Sequence, residues 1–164
     1  AETLAIADSQ LYRVSDFEAT DLYEADGQPR PSYIYSAPVT SLASPGTTIG
    51  GIGIVFDSEP QFLSMLNDCL PRDGSGDILE GSEGMFVEPG GRIVASTNPE
   101  HAPGDVVDLA GVFCDLACGQ LASHLTAEGD RLYAVGCAHA CGYREYKRGD
   151  GYVNDLLAVI KVRI

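Results

Sequence analysis

Apolar and polar residues alternate along several segments of this chain, which is the pattern of half-buried β-strands. The alternation covers residues 32–42 and 49–56. In the second segment, Gly51 and Gly53 lie on one face and indicate that another part of the chain packs closely there. Residues 85–97 are typical of a hairpin, because Pro89 and Gly90 stand at the second and third positions of a type II turn that begins at Glu88. These segments predict a largely antiparallel sheet.

Two segments have the spacing of helices. The residues that follow Ser58 repeat apolar side chains on one stripe up to Cys69, which is therefore expected to be a buried thiol. Residues 107–125 form a second helix candidate, although two glycines weaken it. The whole pattern predicts a single α+β domain over residues 1–164, with a mostly antiparallel sheet of about five or six strands and flanking helices.

The final third of the chain predicts two long strands. In the strand from Leu132, small residues at even positions alternate with Tyr133, Val135 and Cys137 at odd positions. The small face leaves room for a ligand or for a tightly packed helix, and both interpretations stay open. In the last strand, Lys161 is expected to lie opposite a core face formed by Leu156, Ala158, Ile160, Val162 and Ile164.

The composition excludes some partners. The net charge of −14 over 164 residues disfavours nucleic acids and anionic membrane surfaces, because phosphate binding needs clustered Lys and Arg. No apolar run approaches the roughly 20 residues that cross a bilayer. The five cysteines are an odd number, which favours a reducing, cytoplasmic compartment, while the outer face of an inner membrane is the alternative.

The cysteines also define an alternative chemistry. Cys114, Cys118, Cys137 and Cys141, with His139 between the last two, offer ligands for a zinc ion or an iron–sulfur cluster. In an extended strand, however, Cys137 and Cys141 lie about 13 Å apart, so one metal reaches both only if the chain bends. Disulfides and plain buried thiols therefore remain open beside a metal- or redox-responsive module.

Three segments resemble, in this order, the PAS-like Cache sensor domains of bacterial chemoreceptors. They are IGGIGIVFDSEPQFLSML, GMFVEPGGRIVASTNP and YAVGCAHACGYREYKRGDGYVNDLLAVI. The last is also similar to sensor segments attached to CheW-type chemotaxis coupling proteins. The amino-acid-binding branch of the Cache family has a motif that contains Trp, and this chain has no Trp, which argues against an amino-acid ligand.

The resemblance implies a sensor domain, excised from a longer signalling protein, with a pocket between its sheet and its helices. Arg144 would bind a carboxylate through its guanidinium fork, and Asp155 would accept a hydrogen bond from an amine or a hydroxyl. The residues expected to line this pocket are Tyr33, Tyr35, Phe56, Asp57, Tyr133, Arg144, Tyr146 and Asp155.

The expected partners follow from this interpretation. They are a small organic ligand, a chemotaxis or other signalling module in the same chain, and a second copy in a homodimer. The sequence contains no nucleophile elbow, phosphate loop or paired-carboxylate motif, so neither catalysis nor a cofactor is expected. A protein-interaction module with an empty pocket is a further alternative.

Overall fold

The computed structural model describes residues 2–7, 11–25, 27–57, 59–109, 115–141 and 155–164. The chain divides into two compact units. The first unit comprises Ala1–Ser58 and Gly142–Asn154, and the second comprises Glu59–Cys141 and Asp155–Ile164. Each unit contains an antiparallel sheet of its own. The expectation of one domain over the whole chain stays a prediction.

Strands dominate the described residues, of which 51% are in strands and 10% are helical. The strands are β1 (Arg13–Val14), β2 (Glu18–Ala25), β3 (Gln28–Thr40), β4 (Thr48–Phe56), β5 (Glu83–Val87), β6 (Ile93–Ser96), β7 (Leu121–Glu128), β8 (Arg131–Cys141) and β9 (Asp155–Arg163). The helical elements of the described residues are a 3₁₀ helix at Thr3–Ala5 and the α-helix α1 at Glu59–Cys69. The predicted α+β class with flanking helices is therefore wrong: the fold is mostly antiparallel β. No helix in the described ranges has the length and apolarity that a membrane span requires.

In the first unit, β3 pairs with β1, β2 and β4. The strands predicted at 32–42 and 49–56 are confirmed as β3 and β4. The glycines of β4 admit a close neighbour, as the sequence suggested: a Cβ added at Gly51 would lie 3.5 Å from the Cδ2 of Leu4 in the 3₁₀ helix. At the other end of β3, the rings of Tyr33 and Phe17 pack with centroids 5.0 Å apart, and both residues are buried.

The second unit is a five-stranded sheet in the order β6-β5-β9-β8-β7. The helix α1 confirms the helix predicted after Ser58, and it lies against β5. Leu66 and Leu70 approach to within 3.4 and 3.5 Å of the position that a Cβ would take at Gly84. A glycine at this point of β5 thus lets the buried side chains of Leu66 in α1 and of Leu70, just after it, lie directly on the sheet.

The core of the second unit lies on the face of the sheet opposite α1. Leu157 and Val159 of β9 are 1% and 6% exposed and pack with Val135 and Cys137 of β8. The predicted orientation of β9 is therefore wrong, because the side chains at Leu156, Ala158, Ile160 and Val162 are half-buried on the other face and Ile164 is exposed. Both faces of residues 156–160 are apolar, so the alternation alone does not tell which face is the core.

The helix predicted at 107–125 is also wrong for its described residues. Gly119 has a left-handed φ of 78°, which interrupts a right-handed helix. Its N–H donates to the carbonyl of His139, and the His139 N–H donates to the carbonyl of Gln120. The segment is drawn into the sheet beside β8, and β7 begins at Leu121.

The hairpin predicted at 85–97 is confirmed as β5 and β6, but its turn is not type II. A type II turn needs a positive φ at Gly90, and the positive φ of 81° belongs to Gly91. The Gly91 N–H closes the turn on the carbonyl of Glu88. A left-handed glycine that follows the turn is the arrangement of a bulged hairpin.

Candidate ligand-binding site

Two adjoining cavities open on the core face of the second unit, at the end of the sheet nearest Lys161. The first, here the apolar-walled cavity, has a volume of about 350 Å³. The second, the polar-walled cavity, has a volume of about 700 Å³. They share four lining side chains, which are Glu83, His101, Glu128 and Lys161.

The register of the sheet brings the charged groups of this site together. Glu83 of β5 lies directly opposite Lys161 of β9, and Val135 of β8 lies opposite Lys161 on the other side. His124 of β7 is in turn opposite Val135. Because residues that face each other across antiparallel strands project from the same side, Glu83, Lys161 and His124 form one row across the sheet.

The ammonium group of Lys161 lies between two carboxylates and over an aromatic ring. Its Nζ is 2.8 Å from Glu128 Oε2, 3.3 Å from Glu83 Oε1 and 4.4 Å from the centroid of the Tyr133 ring. Such contacts combine charge-assisted hydrogen bonds with a cation–π interaction. We refer to Glu83, Glu128 and Tyr133 as the ammonium cage.

The cage holds Lys161 in its charged form. Burial by itself lowers the pKa of Lys161, since the side chain is only 20% exposed. The hydrogen bond to Glu128 and the charge of Glu83 outweigh this effect, so the pKa is raised above its ordinary value. Lys161 is therefore an ammonium ion at neutral pH.

The second carboxylate oxygen of Glu83 is also engaged. Asn98 Nδ2 donates to Glu83 Oε2 over 2.7 Å. The two oxygens of Glu83 thus bind different partners, one from β9 and one from the loop after β6. The Glu83 side chain is only 17% exposed, and these bonds compensate the carboxylate for its loss of water.

The loop of residues 97–109 forms the wall that faces the sheet. The Gly104 N–H donates to the carbonyl of Ile93, whose own N–H donates to the carbonyl of Asp105, both over 2.8 Å. The Val107 N–H donates to the carbonyl of Gly91 over 2.9 Å. Backbone hydrogen bonds therefore fix this wall to β6 and to the hairpin turn.

The wall and the sheet supply an apolar lining for the smaller cavity, made of Met85, Val107, Leu109, Val135 and Val159. The buried polar atoms at the site that have no hydrogen-bond partner among the described residues include His101 Nδ1 and Ser82 Oγ. His101 lines both cavities, and Ser82 lines the polar-walled cavity. A buried polar atom without a partner is rare in folded proteins and calls for a ligand, an ion or a water.

The predicted pocket residues divide between the two units. Tyr133 belongs to the second unit and lines the polar-walled cavity. Tyr35 and Phe56 line a groove of about 400 Å³ in the first unit, together with Tyr12. Tyr33 is buried against Phe17 and does not line that groove.

Asp57, in the first unit, accepts a 2.6 Å hydrogen bond from the hydroxyl of Tyr23 and is exposed. Arg144 and Tyr146 lie outside the described residues, and so does the side chain of Asp155. The backbone of Asp155 pairs with Cys141 at the start of β9.

The small face of β8 was predicted to leave room for a ligand or for a tightly packed helix, and this face of the sheet has a helix in one place and an open groove in another. At β5 the same face of the sheet is covered by α1. Further along, a groove of about 400 Å³ lies over Gly136 and Ala138 of β8 and Leu121 of β7. The apolar-walled and polar-walled cavities are on the opposite face, beside the larger residues of β8.

The described cysteines do not form a metal site. Cys137 is buried, and burial raises the pKa of its thiol from 9.0 to about 11, which disfavours the thiolate that binds metals. Cys118 is disulfide-bonded. Cys69 is exposed on α1, so the prediction of a buried thiol there is wrong. Cys114 and the side chain of Cys141 lie outside the described residues, among which no cluster of three or more metal-ligating side chains occurs.

His139, which was named with the cysteines as a possible metal ligand, has a hydrogen-bonded side chain. Its ring N–H at Nδ1 donates to the carbonyl of Leu116 over 2.5 Å. The backbone of His139 also pairs with Gly119 and Gln120. The ring therefore fastens the turn before β7 to strand β8.

The predicted site residues did not include Glu83, His101, Glu128 and Lys161. One local signal was available, because Lys161 is the single charged residue between Leu156 and Val162. Its partners are distant in sequence, and only the strand register shows that they meet.

A scan of the chain against models of known protein families gives no match, and a search of curated proteins gives none either. The resemblance to Cache sensors therefore rests on the three sequence segments alone.

Proposed function

We propose that this protein is a non-enzymatic binding domain that takes a small organic molecule into the cavities of its second unit. The observation that carries the proposal is the apolar-walled cavity of about 350 Å³, on which Lys161, two glutamates and His101 converge. Ligand sites are typically concave and apolar, with a few polar groups that fix orientation, and their volumes are about 300–1,000 Å³.

The state of Lys161 supports binding in preference to catalysis. A catalytic lysine needs a lowered pKa so that it can lose its proton near neutral pH. Glu128 and Glu83 raise the pKa of Lys161, and their two carboxylates occupy its ammonium group. The charged groups of the cavities are therefore suited to recognition.

The proposed biological setting is sensory, as the resemblance to bacterial sensor domains implies. A ligand shifts a conformational equilibrium only if it binds two states with different affinities. The loop of residues 97–109 is the element whose position a ligand would bias, because it forms one wall of the site.

A thermal-shift screen tests the proposal. Amines, organic acids and purines are added to the wild-type protein, and each compound that raises Tm is retested on Glu83→Gln and Glu88→Gln. Glu88 is the matched control, because it also forms an ion pair, with Arg92, but lies in the hairpin turn and lines neither cavity.

A ligand present at 100 times its Kd adds about 2.7 kcal/mol to the stability of the folded state, which is a clear rise in Tm. We expect at least one compound to stabilise the wild type and Glu88→Gln but not Glu83→Gln. A screen in which no compound class stabilises the wild type, or in which both variants lose every response equally, would contradict the proposal.

A further inference from the structure

We infer that the ligand is a cationic amine, and this inference rests on the binding function proposed above. The ammonium cage already holds one ammonium group, that of Lys161. Two carboxylates and the face of a tyrosine are the groups that recognise an alkylammonium ion. We therefore expect the same kinds of group, carboxylates and an aromatic ring, to bind the ammonium group of a ligand at this site.

The charge of the lining selects in the same direction. Four carboxylates, those of Glu83, Glu100, Asp108 and Glu128, line the two cavities, and only Arg131 and Lys161 are cationic. With the histidines neutral, the lining has a net charge of −2 even when Lys161 is counted. A cationic ligand is attracted to this lining, and an anionic ligand is repelled.

The cage leaves room for a second cation at Glu128. The side chain of this residue is 52% exposed, and its Oε2 accepts the hydrogen bond from Lys161. Glu128 lines both cavities, and Glu100 adds a further carboxylate to the polar-walled one. An ammonium group in the polar-walled cavity would therefore meet carboxylates on more than one side.

The apolar-walled cavity then accommodates the hydrocarbon part of the amine. Met85, Val135 and Val159 form its floor on the sheet, and Val107 and Leu109 form its wall in the loop. His101, whose buried Nδ1 lacks a partner among the described residues, lines the junction with the polar-walled cavity. An amine with a short alkyl chain matches both lobes.

The anionic alternative has little support in the geometry. The lining has two cations: the ammonium of Lys161 is already neutralised by Glu83 and Glu128, and Arg131 lies in the polar-walled cavity. A carboxylate ligand would have to bind Arg131 in a lining whose four carboxylates outnumber its cations. The net charge of −14 also repels anions from the whole protein and concentrates cations near it.

The test compares three probes of equal chain length, n-butylammonium, 1-butanol and butanoate. Each is titrated into ¹⁵N-labelled wild-type protein, and amide shifts are followed by NMR, which detects the millimolar affinities of such fragments. We expect n-butylammonium to bind at least tenfold more tightly than either other probe, with saturable shifts at Glu83, His101 and Lys161. Its affinity should fall as salt is raised, because the attraction is between charges.

A pair of variants then tests the cage itself. Lys161→Met removes the resident ammonium and should raise the affinity for n-butylammonium at least tenfold, since a like charge has left the site. Arg163→Met removes the same charge from the same strand, but Arg163 lines neither cavity, and its effect should be less than twofold. If Lys161→Met does not fold, Glu128→Gln should weaken n-butylammonium at least fivefold and leave 1-butanol unchanged.

The outcomes separate this inference from the function on which it rests. Equal binding of n-butylammonium and 1-butanol, or tighter binding of butanoate, at the same amides overturns the amine assignment and leaves the binding function standing. Equal effects of Lys161→Met and Arg163→Met overturn the role of the cage. If no probe binds, the amine assignment fails, and the wider thermal-shift screen decides whether the binding function fails with it.

Discussion

The wall of the proposed site is fixed at Gly91, and this makes Gly91→Ala a sharp test of the fold. Gly91 has a φ of 81°, and a Cβ at this position would overlap the carbonyl oxygen of Val107 in the loop wall. The neighbouring Gly90 has no atom within 4 Å of its Cβ position and no left-handed φ. Gly90→Ala is therefore a matched control in the same turn.

The magnitude follows from two costs. Placing an L-residue in the left-handed region costs about 1–2 kcal/mol. The overlap also pushes Val107 away, so that the 2.9 Å hydrogen bond from its N–H to the carbonyl of Gly91 is lost, which costs about 0.5–1.5 kcal/mol. Together we expect Gly91→Ala to lower the free energy of unfolding by about 2–3 kcal/mol.

Urea denaturation followed by circular dichroism measures this change. With a slope of about 2 kcal/mol per molar urea, the midpoint of the second unit should fall by about 1 M or more in Gly91→Ala and by about 0.2 M or less in Gly90→Ala. The amide of Val107 should also lose protection from hydrogen exchange in Gly91→Ala alone. Equal midpoints for the two variants would refute the account of how the loop is held.

Three further predictions concern the core and the cage. Cys137 should resist alkylation in the native protein while exposed Cys69 reacts, and equal alkylation rates would contradict this. Burial raises the pKa of Cys137 from 9.0 to about 11, so the stability that its neutral thiol contributes is complete below pH 9. That contribution, up to about 3 kcal/mol, is lost as the pH rises to 11. A double-mutant cycle of Lys161→Met with Glu83→Gln, read by urea denaturation, should give a coupling of about 1–2 kcal/mol, and a value near zero would remove Glu83 from the cage. Leu157→Ala should cost about 2–5 kcal/mol in the same assay, since Leu157 is 1% exposed, and a loss below 1 kcal/mol would place it outside the core.

The elements that the sequence predicted correctly are those with strong local signals. Alternation over residues 32–42 and 49–56 gave β3 and β4, and helical spacing gave α1. Pro89 and its neighbouring glycines located the β5–β6 hairpin, although the left-handed conformation fell one residue later than predicted, at Gly91. Short-range chemistry decides such features, so a single sequence contains them.

The errors arose where packing decides between equal local choices. Residues 107–125 contain enough apolar side chains for a helix, but pairing with His139 and the left-handed Gly119 lead the chain from Gly119 onward into the sheet. In β9 both faces are apolar from Leu156 to Ile160, so the core face depends on what the rest of the fold offers. Lys161 shares the core face because its long side chain reaches the carboxylates at the margin.

The candidate site was the least predictable part of the molecule. Glu83, Glu128 and Lys161 are separated by more than thirty positions in each case and meet only through the order β5-β9-β8-β7. The aromatic residues that the resemblance selected, Tyr35 and Phe56, line a groove of the first unit, whereas Tyr133 lines the polar-walled cavity of the second. A family resemblance transfers residues by sequence position, and it does not supply the register that brings charges together.

The central claim is that the cavities beside Lys161 bind a small cationic amine. Titration of the ¹⁵N-labelled wild-type protein with n-butylammonium tests it most directly, because each amide reports its own location. The account predicts saturable shifts that cluster at Glu83, His101 and Lys161 and weaken in Glu128→Gln. Shifts that cluster instead at Tyr35 and Phe56, or that rise linearly without saturation across the chain, would contradict it.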